Sequence, residues 1–284
     1  MLLTQQILNG LVLGAGYALV GVGITMVLRV LDIVNFAHGE LFMLGGLGVY
    51  FGSTQLGLPM LPAIALAVVA VAIFAAFEMK IIDRIRRVDG FNVILVTFAI
   101  SAVLTNVANL YLEGSAKSVP PLSDHVFRVG DLVISSQRLI VLGVAAVLFA
   151  ALILGIERTR QGRQLRAVAQ SPLGAEVSGI AVHQVMTRLF IGAGAIAGLA
   201  GAILAPVVQV SPTAGLAIML KGFVVLILGG LGSVVGAAVG GVALGVLEAV
   251  GATYLGSEWI NAFGFVLLIT VLLIRPQGLF GERA

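Results

Sequence analysis

Apolar runs close to the length of a membrane span recur along the whole chain. They constrain the fold more tightly than any other feature. They occupy residues 7–28, 41–56, 61–77, 91–112, 139–156, 189–210, 216–230, 234–255 and 259–274. A run of about 20 apolar residues crosses a hydrocarbon core of about 30 Å as a helix. Backbone groups in lipid must bond within their own segment or close into a barrel. These runs are too long for barrel strands and lack strict alternation, so they read as helices. Only 10% of residues are charged, against about 25% in a soluble domain. Lipid must therefore be the solvent for most of the surface. The expected fold is an all-α polytopic membrane bundle of eight or nine spans, forming one domain over residues 1–284.

Other composition features close off whole function classes. There are no cysteines, which removes disulfides and thiolate metal sites. The net charge of +3 comes from arginine-rich loops, which belong beside lipid headgroups, so nucleic acid is not an expected partner. The first residues carry no Lys or Arg ahead of the apolar run. They lack the basic start of a secretory signal and are expected to stay in the mature chain.

The longest polar interruption is 157–188, with Arg158, Arg160, Arg163, Arg166 and Arg188 against Glu157 and Glu176. A loop that only joined two helices could be far shorter. Residues 164–169 are good helix formers. Ser171 and Pro172 then read as an N-cap and first helical position, and Gly179 as the stop of a short second helix. Two readings stay open: a helix that docks another protein, or a solvated loop that sets orientation.

Polar residues inside the apolar pattern mark further positions. Residues 29–40 hold Arg29, Asp32, Asn35, His38 and Glu40. Such groups at membrane depth line a bundle interior or a watery cavity, or else form an interfacial turn. No third ligand accompanies His38 and Glu40, so a metal site is not expected. Thr97, Ser101, Thr105, Asn106 and Asn109 fall on the fourth run, where small polar residues line a path or join helices. Lys221 lies in the short run 216–230, which reads as tilted, broken or re-entrant. Glu248 is read either as a paired structural acid or as a pathway group. Gly10 and Gly14, and again Gly232, Gly236 and Gly240, are spaced for close helix packing. Residues 125–134 alternate in a way that suits a hairpin or a surface strand.

Positive residues cluster at Lys80, Arg84, Arg86 and Arg87 and again in 157–188. Both segments are expected on the cytoplasmic side. Counting spans places 113–138 outside and Arg275 and Arg283 inside.

Several motifs in fixed order resemble the LivH-type permease family of branched-chain amino acid ABC importers. They are Gly16-Tyr17-Ala18-Leu19, Asn35-Phe36-Ala37-His38-Gly39-Glu40, Leu165-Arg166-Ala167-Val168-Ala169 with Ala175 and Gly179-Ile180, and Lys221-Gly222-Phe223. Then follow Leu228-Gly229-Gly230-Leu231-Gly232-Ser233, Glu248, and Arg275-Pro276-Gln277-Gly278-Leu279-Phe280-Gly281. The resemblance covers nearly the whole chain. It implies a permease subunit in a bacterial cytoplasmic membrane, C-terminus cytoplasmic, paired with a LivM-like second permease and two ABC ATPase subunits. An extracytoplasmic binding protein would deliver branched-chain or related amino acids, with urea and short amides as alternative substrates.

ATP and Mg would be bound by the ATPase subunits, with no cofactor in this chain. The resemblance makes 157–188 the coupling loop, with Arg166, Ala167, Ala169, Ala175, Glu176, Gly179 and Ile180 at the contact. Val168 and Gln170 depart from the usual acidic pattern of such loops. Candidate pathway residues are Asn35, His38, Asn106, Asn109 and Glu248. An ion-coupled secondary transporter is the rival class, with Glu248 as its one clear coupling carboxylate. An intramembrane enzyme would need a convergent catalytic set, which only His38 with Glu40 approaches.

Overall fold

The computed structural model describes residues 2–86, 90–129, 132–256, 259–275 and 277–281. Arg87, Pro276 and Arg283, named above, lie outside them. The described chain is a helix bundle. In order it contains α1 (Leu2–Leu31), α2 (His38–Tyr50), α3 (Met60–Ile85) and α4 (Gly90–Tyr111). A hairpin of β1 (Val126–Val129) and β2 (Leu132–Ser135) follows. Then come α5 (Ser136–Arg158), α6 (Arg160–Gln170), α7 (Pro172–Val177), α8 (Val182–Leu204), α9 (Ala214–Gly229), α10 (Val234–Leu255) and α11 (Ile260–Ile274).

Six helices, α1, α3, α4, α5, α8 and α10, are long and apolar enough to cross a membrane; α9 and α11 are shorter apolar helices. The second apolar run becomes α2 continued by a π-helical turn, Phe51–Gln55. One boundary differs from expectation. The sequence reading ended the third span at Phe77, at the first charge, but α3 runs on to Ile85. Glu78 is therefore a buried helical residue, and the exposed polar residues of α3 begin at Lys80.

Glycine sets how closely the central helices approach. A Cβ on Gly10 would sit 2.5 Å from Val246 Cα, and one on Gly14 would sit 2.7 Å from the Gly241 carbonyl oxygen. α1 and α10 therefore meet backbone to backbone, as the Gly10–Gly14 spacing predicts. Gly45 of α2 meets Gly198 of α8 in the same manner. The Gly232–Gly236–Gly240 face divides. Gly236 and Gly240 pack on the end of α9, while Gly232 sits in the preceding turn at φ +83°, against the Arg29 side chain.

The two ends of the bundle differ in character. At one end the hairpin pairs Val126–Val129 with Leu132–Ser135 and clasps the start of α1. Gln5 donates to the Val133 carbonyl at 3.0 Å and accepts from its N–H at 3.1 Å. Gln137 ties the same end together, accepting from Leu122 N–H at 3.0 Å and donating to the Ile203 carbonyl at 2.8 Å. The other end carries most of the arginines. There Arg29 donates to the Gly232 carbonyl at 2.6 Å. Asp83 pairs with Arg86 at 3.2 Å and His183 at 3.4 Å. The C-terminal segment hydrogen-bonds back to α9 through Leu279 N–H to Leu228 O at 2.8 Å.

Candidate functional site

The arginine-bearing end is built from α6 and α7. Thr159 caps α6, its hydroxyl accepting from Gly162 N–H at 3.0 Å. Ser171 caps α7, accepting from Gly174 N–H at 3.0 Å, with Pro172 at the first helical position. Both caps satisfy donors that a helix start leaves open. Gly179, at φ +79°, ends the short helix in the left-handed conformation that only glycine adopts without strain. The chain then enters α8.

The candidate coupling residues fall into three groups. Ala175 is buried at 4% exposure, and Ala167, Ala169 and Ile180 are half-buried against the same core. These four seat the helices on the bundle. Arg166 donates to the Ile156 and Glu157 carbonyls at the end of α5. A cation at a helix C-terminus meets both open acceptors and the negative pole of the dipole. Arg166 thus locks α6 to α5. Glu176 and Gly179 face water.

Two neighbours that the sequence reading passed over project furthest. Leu173 is 73% exposed and Val177 84% exposed. They stand four residues apart, on either side of buried Ala175, and so share a helix face. The signal was present as two large apolar residues in a polar loop, immediately after a Ser-Pro cap.

The five pathway candidates fall in three places. Asn35 and His38 lie at the break between α1 and α2. α1 stops at Leu31, and Asp32 takes φ +53°, a left-handed conformation that Asp tolerates better than most residues. Asn35 Oδ1 accepts from Ala37 N–H at 2.9 Å and turns the chain into α2. The His38 ring lies against Gly23, and its Nε2 has no hydrogen-bond partner. Asn35 and His38 are 4% and 1% exposed. Asn106 and Asn109 lie on the exposed face of α4, where Asn106 donates back to the Ala102 carbonyl at 2.8 Å. Glu248 is buried between α1, α9 and α10. It pairs with Lys221 and accepts from the Tyr17 hydroxyl at 3.0 Å.

Two further buried acids were not among those candidates. Glu40 accepts from Ser101 at 2.8 Å and Thr105 at 3.2 Å, joining α2 to α4. Glu78 has no hydrogen-bond partner for either oxygen; the Asn35 amide approaches it without reaching hydrogen-bond geometry. Among the described residues, no three His, Asp or Glu side chains gather as a metal site.

Comparison with known proteins matches the model of the family described as "Branched-chain amino acid transport system / permease component" over residues 6–272. The chain is 34% identical to BraD of Pseudomonas aeruginosa, a high-affinity branched-chain amino acid transport system permease protein. That alignment covers 98% of this chain and 95% of BraD. It is 31% identical to LivH of Escherichia coli K12, with the same shares covered. Among solved structures, PsaBC from Streptococcus pneumoniae in complex with Fab has a chain that matches with a TM-score of 0.55 at 16% identity. The match covers 98% of this chain and 93% of that one, a likeness of fold. Family match, identity along the full length and a bundle of membrane-length helices agree, and the chain belongs to the branched-chain amino acid transport permease family.

Proposed function

We propose that this chain is the permease subunit of an ATP-driven importer that moves branched-chain or related amino acids. Kinship to BraD and LivH supports the substrate class. In this reading a LivM-like second permease completes the pathway, an extracytoplasmic binding protein delivers substrate at the hairpin end, and two ABC ATPases bind ATP and Mg at the arginine-bearing end. That end, with the C-terminus, is cytoplasmic, in keeping with its share of Lys and Arg. The whole chain acts as one permease domain.

The observation that carries the coupling role is the form of α7. Its Leu173 and Val177 face outward while Ala175, Ala167, Ala169 and Ile180 hold its base. A capped helix with two exposed apolar residues is an anchor pair for a groove in a partner. Through Arg166, motion of α6 is passed to α5, so ATP-driven movement of the ATPases reaches the bundle as a two-state rearrangement. A path between two permease chains would be lined by surface that one chain leaves exposed. Asn106 and Asn109 fit that requirement. Asn35, His38 and Glu248 are enclosed here; Asn35 turns the chain into α2, and Glu248 ties α10 to α1 and α9. The ion-coupled alternative loses its leading carboxylate, because Glu248 is paired with Lys221.

The test is co-purification with the neighbouring permease and ATPase gene products, followed by ATPase and uptake assays with loaded binding protein. Stimulation by leucine-loaded binding protein, and little by urea, supports the reading. Transport by this chain alone on an ion gradient would overturn it. Replacing Gly179 with Leu should cost about 1–2 kcal/mol at the left-handed position, preserve insertion, and cut coupled uptake. Unchanged uptake in Gly179→Leu would count against α7 as the coupling element.

A further inference from the structure

Behind α6, helices α1, α5, α6 and α8 border an open-mouthed cavity of about 280 Å³. Met26 of α1, Leu152 and Ile156 of α5, Leu165 of α6, and Leu189 and Ile196 of α8 form its apolar walls. Gly155 and Gly192 also line it. A Cβ on either glycine would meet nothing within 4 Å. Gly10, Gly14 and Gly45 admit a neighbouring backbone, whereas these two open onto space. The mouth is polar, with Thr159, Gln161 and Arg188 at its edge. Arg188 is exposed and reaches Gln184 of its own helix at 3.4 Å. Arg158, Arg160 and Arg163 are exposed on the adjoining turns, against the single carboxylate of Glu157.

The cavity therefore joins a hydrocarbon-lined interior to a cationic edge. It does so where the last turns of α5 and the first turns of α8 leave the membrane. Water gains little from an apolar cavity of this kind, whereas the bilayer supplies acyl chains at that depth. Basic pockets between membrane helices take anionic headgroups. We propose that this cavity binds an acyl chain of an anionic phospholipid from the adjacent leaflet, with Arg188 at its phosphate. The chain sits between α1 and α6 and so becomes part of the support beneath the α6–α7 surface. Anionic lipid content would then affect how firmly α6 follows α5. The site does not depend on which substrate the transporter carries.

The experiment uses the assembled transporter in lipid nanodiscs with phosphatidylglycerol bearing a photoreactive diazirine in its acyl chain. After irradiation, labelled peptides are mapped by mass spectrometry. The expected result is labelling of residues 151–165 and 185–196, at least tenfold above that from the matching phosphatidylcholine probe. Gly192→Leu fills the cavity and should abolish this labelling. Arg188→Gln should make the two probes label equally. Gly155→Leu, judged by the same assay, serves if Gly192→Leu fails to assemble. Equal labelling by both probes in the unmodified transporter would mean ordinary surrounding lipid and overturn the proposal. Preferential labelling by a photoreactive fatty acid would assign the cavity to a free amphiphile instead. Absence of labelling, with the mouth covered by the second permease, would also overturn it.

Discussion

Two buried glutamates make opposite use of the same side chain. Glu248 is held by Lys221 and by the Tyr17 hydroxyl. It lies among α1, α9 and α10, and α1 is buried along most of its length. Glu40 accepts from hydroxyls, those of Ser101 and Thr105 on α4, a helix that is mostly exposed along its length. The first glutamate sits where helices already touch backbone to backbone, so its charge must be balanced in place. The second bridges to a helix with little apolar packing on the rest of the chain, so its hydrogen bonds supply much of the attachment. One site completes a rigid core; the other fastens a peripheral element that a partner chain or a conformational change can move.

The largest effect should come from breaking the charge-balanced site. Lys221→Met leaves Glu248 buried without its cation, which costs about 3–5 kcal/mol. A marked fall in the thermal unfolding midpoint in detergent is expected. Adding Glu248→Gln should restore most of it, since a neutral amide can still accept from Tyr17. An unchanged midpoint for Lys221→Met alone would remove the distinction between the two sites.

A smaller and more local effect should follow at the α4 attachment. Ser101→Ala with Thr105→Val removes both donors to Glu40 and should cost about 1–3 kcal/mol. The loss should appear as faster hydrogen exchange over Gly90–Tyr111, with α1 and α10 unchanged. Equal acceleration throughout the bundle would mean that α4 is as integral as α1, and the contrast would fail.

What could be read from the sequence was local. The Ser171-Pro172 start and Gly179 stop of α7, the Gly10–Gly14 seam, the short α9 and the hairpin all follow from neighbouring residues. They appear where those residues predict them. The polar pairings could not be read this way. Tyr17 and Glu248 are 231 positions apart, and Ser101 and Glu40 are 61 apart. Polar periodicity along α4 indicates a face but not its partner. Glu78 was obscured for a different reason. A charge reads as the end of a span, yet α3 continues through it because its buried face, Ala67, Val71, Ala75, Met79 and Ile82, keeps helical spacing beyond that point. In residues 157–188, the family motif points to the residues that seat α7. The exposed pair, Leu173 and Val177, carries no unusual chemistry and stood out only once burial was known.

The smallest effect tests the packing contrast by sign. Gly10→Ala places a methyl 2.5 Å from Val246 Cα and 2.7 Å from the Gly245 carbonyl oxygen. Backbone cannot yield as a side-chain tip would, so α1 and α10 must part, at about 1–3 kcal/mol. Gly143→Ala on α5 adds the same methyl where nothing lies within 4 Å. There the change only removes glycine's cost in a helix, a gain of about 0.5–1 kcal/mol. Identical chemistry should thus destabilise in the core and stabilise at the periphery, read as unfolding midpoints moving in opposite directions. If both midpoints fell together, α5 would be tightly packed as well. The open space at Gly155 and Gly192 would then need another explanation than a cavity left for lipid.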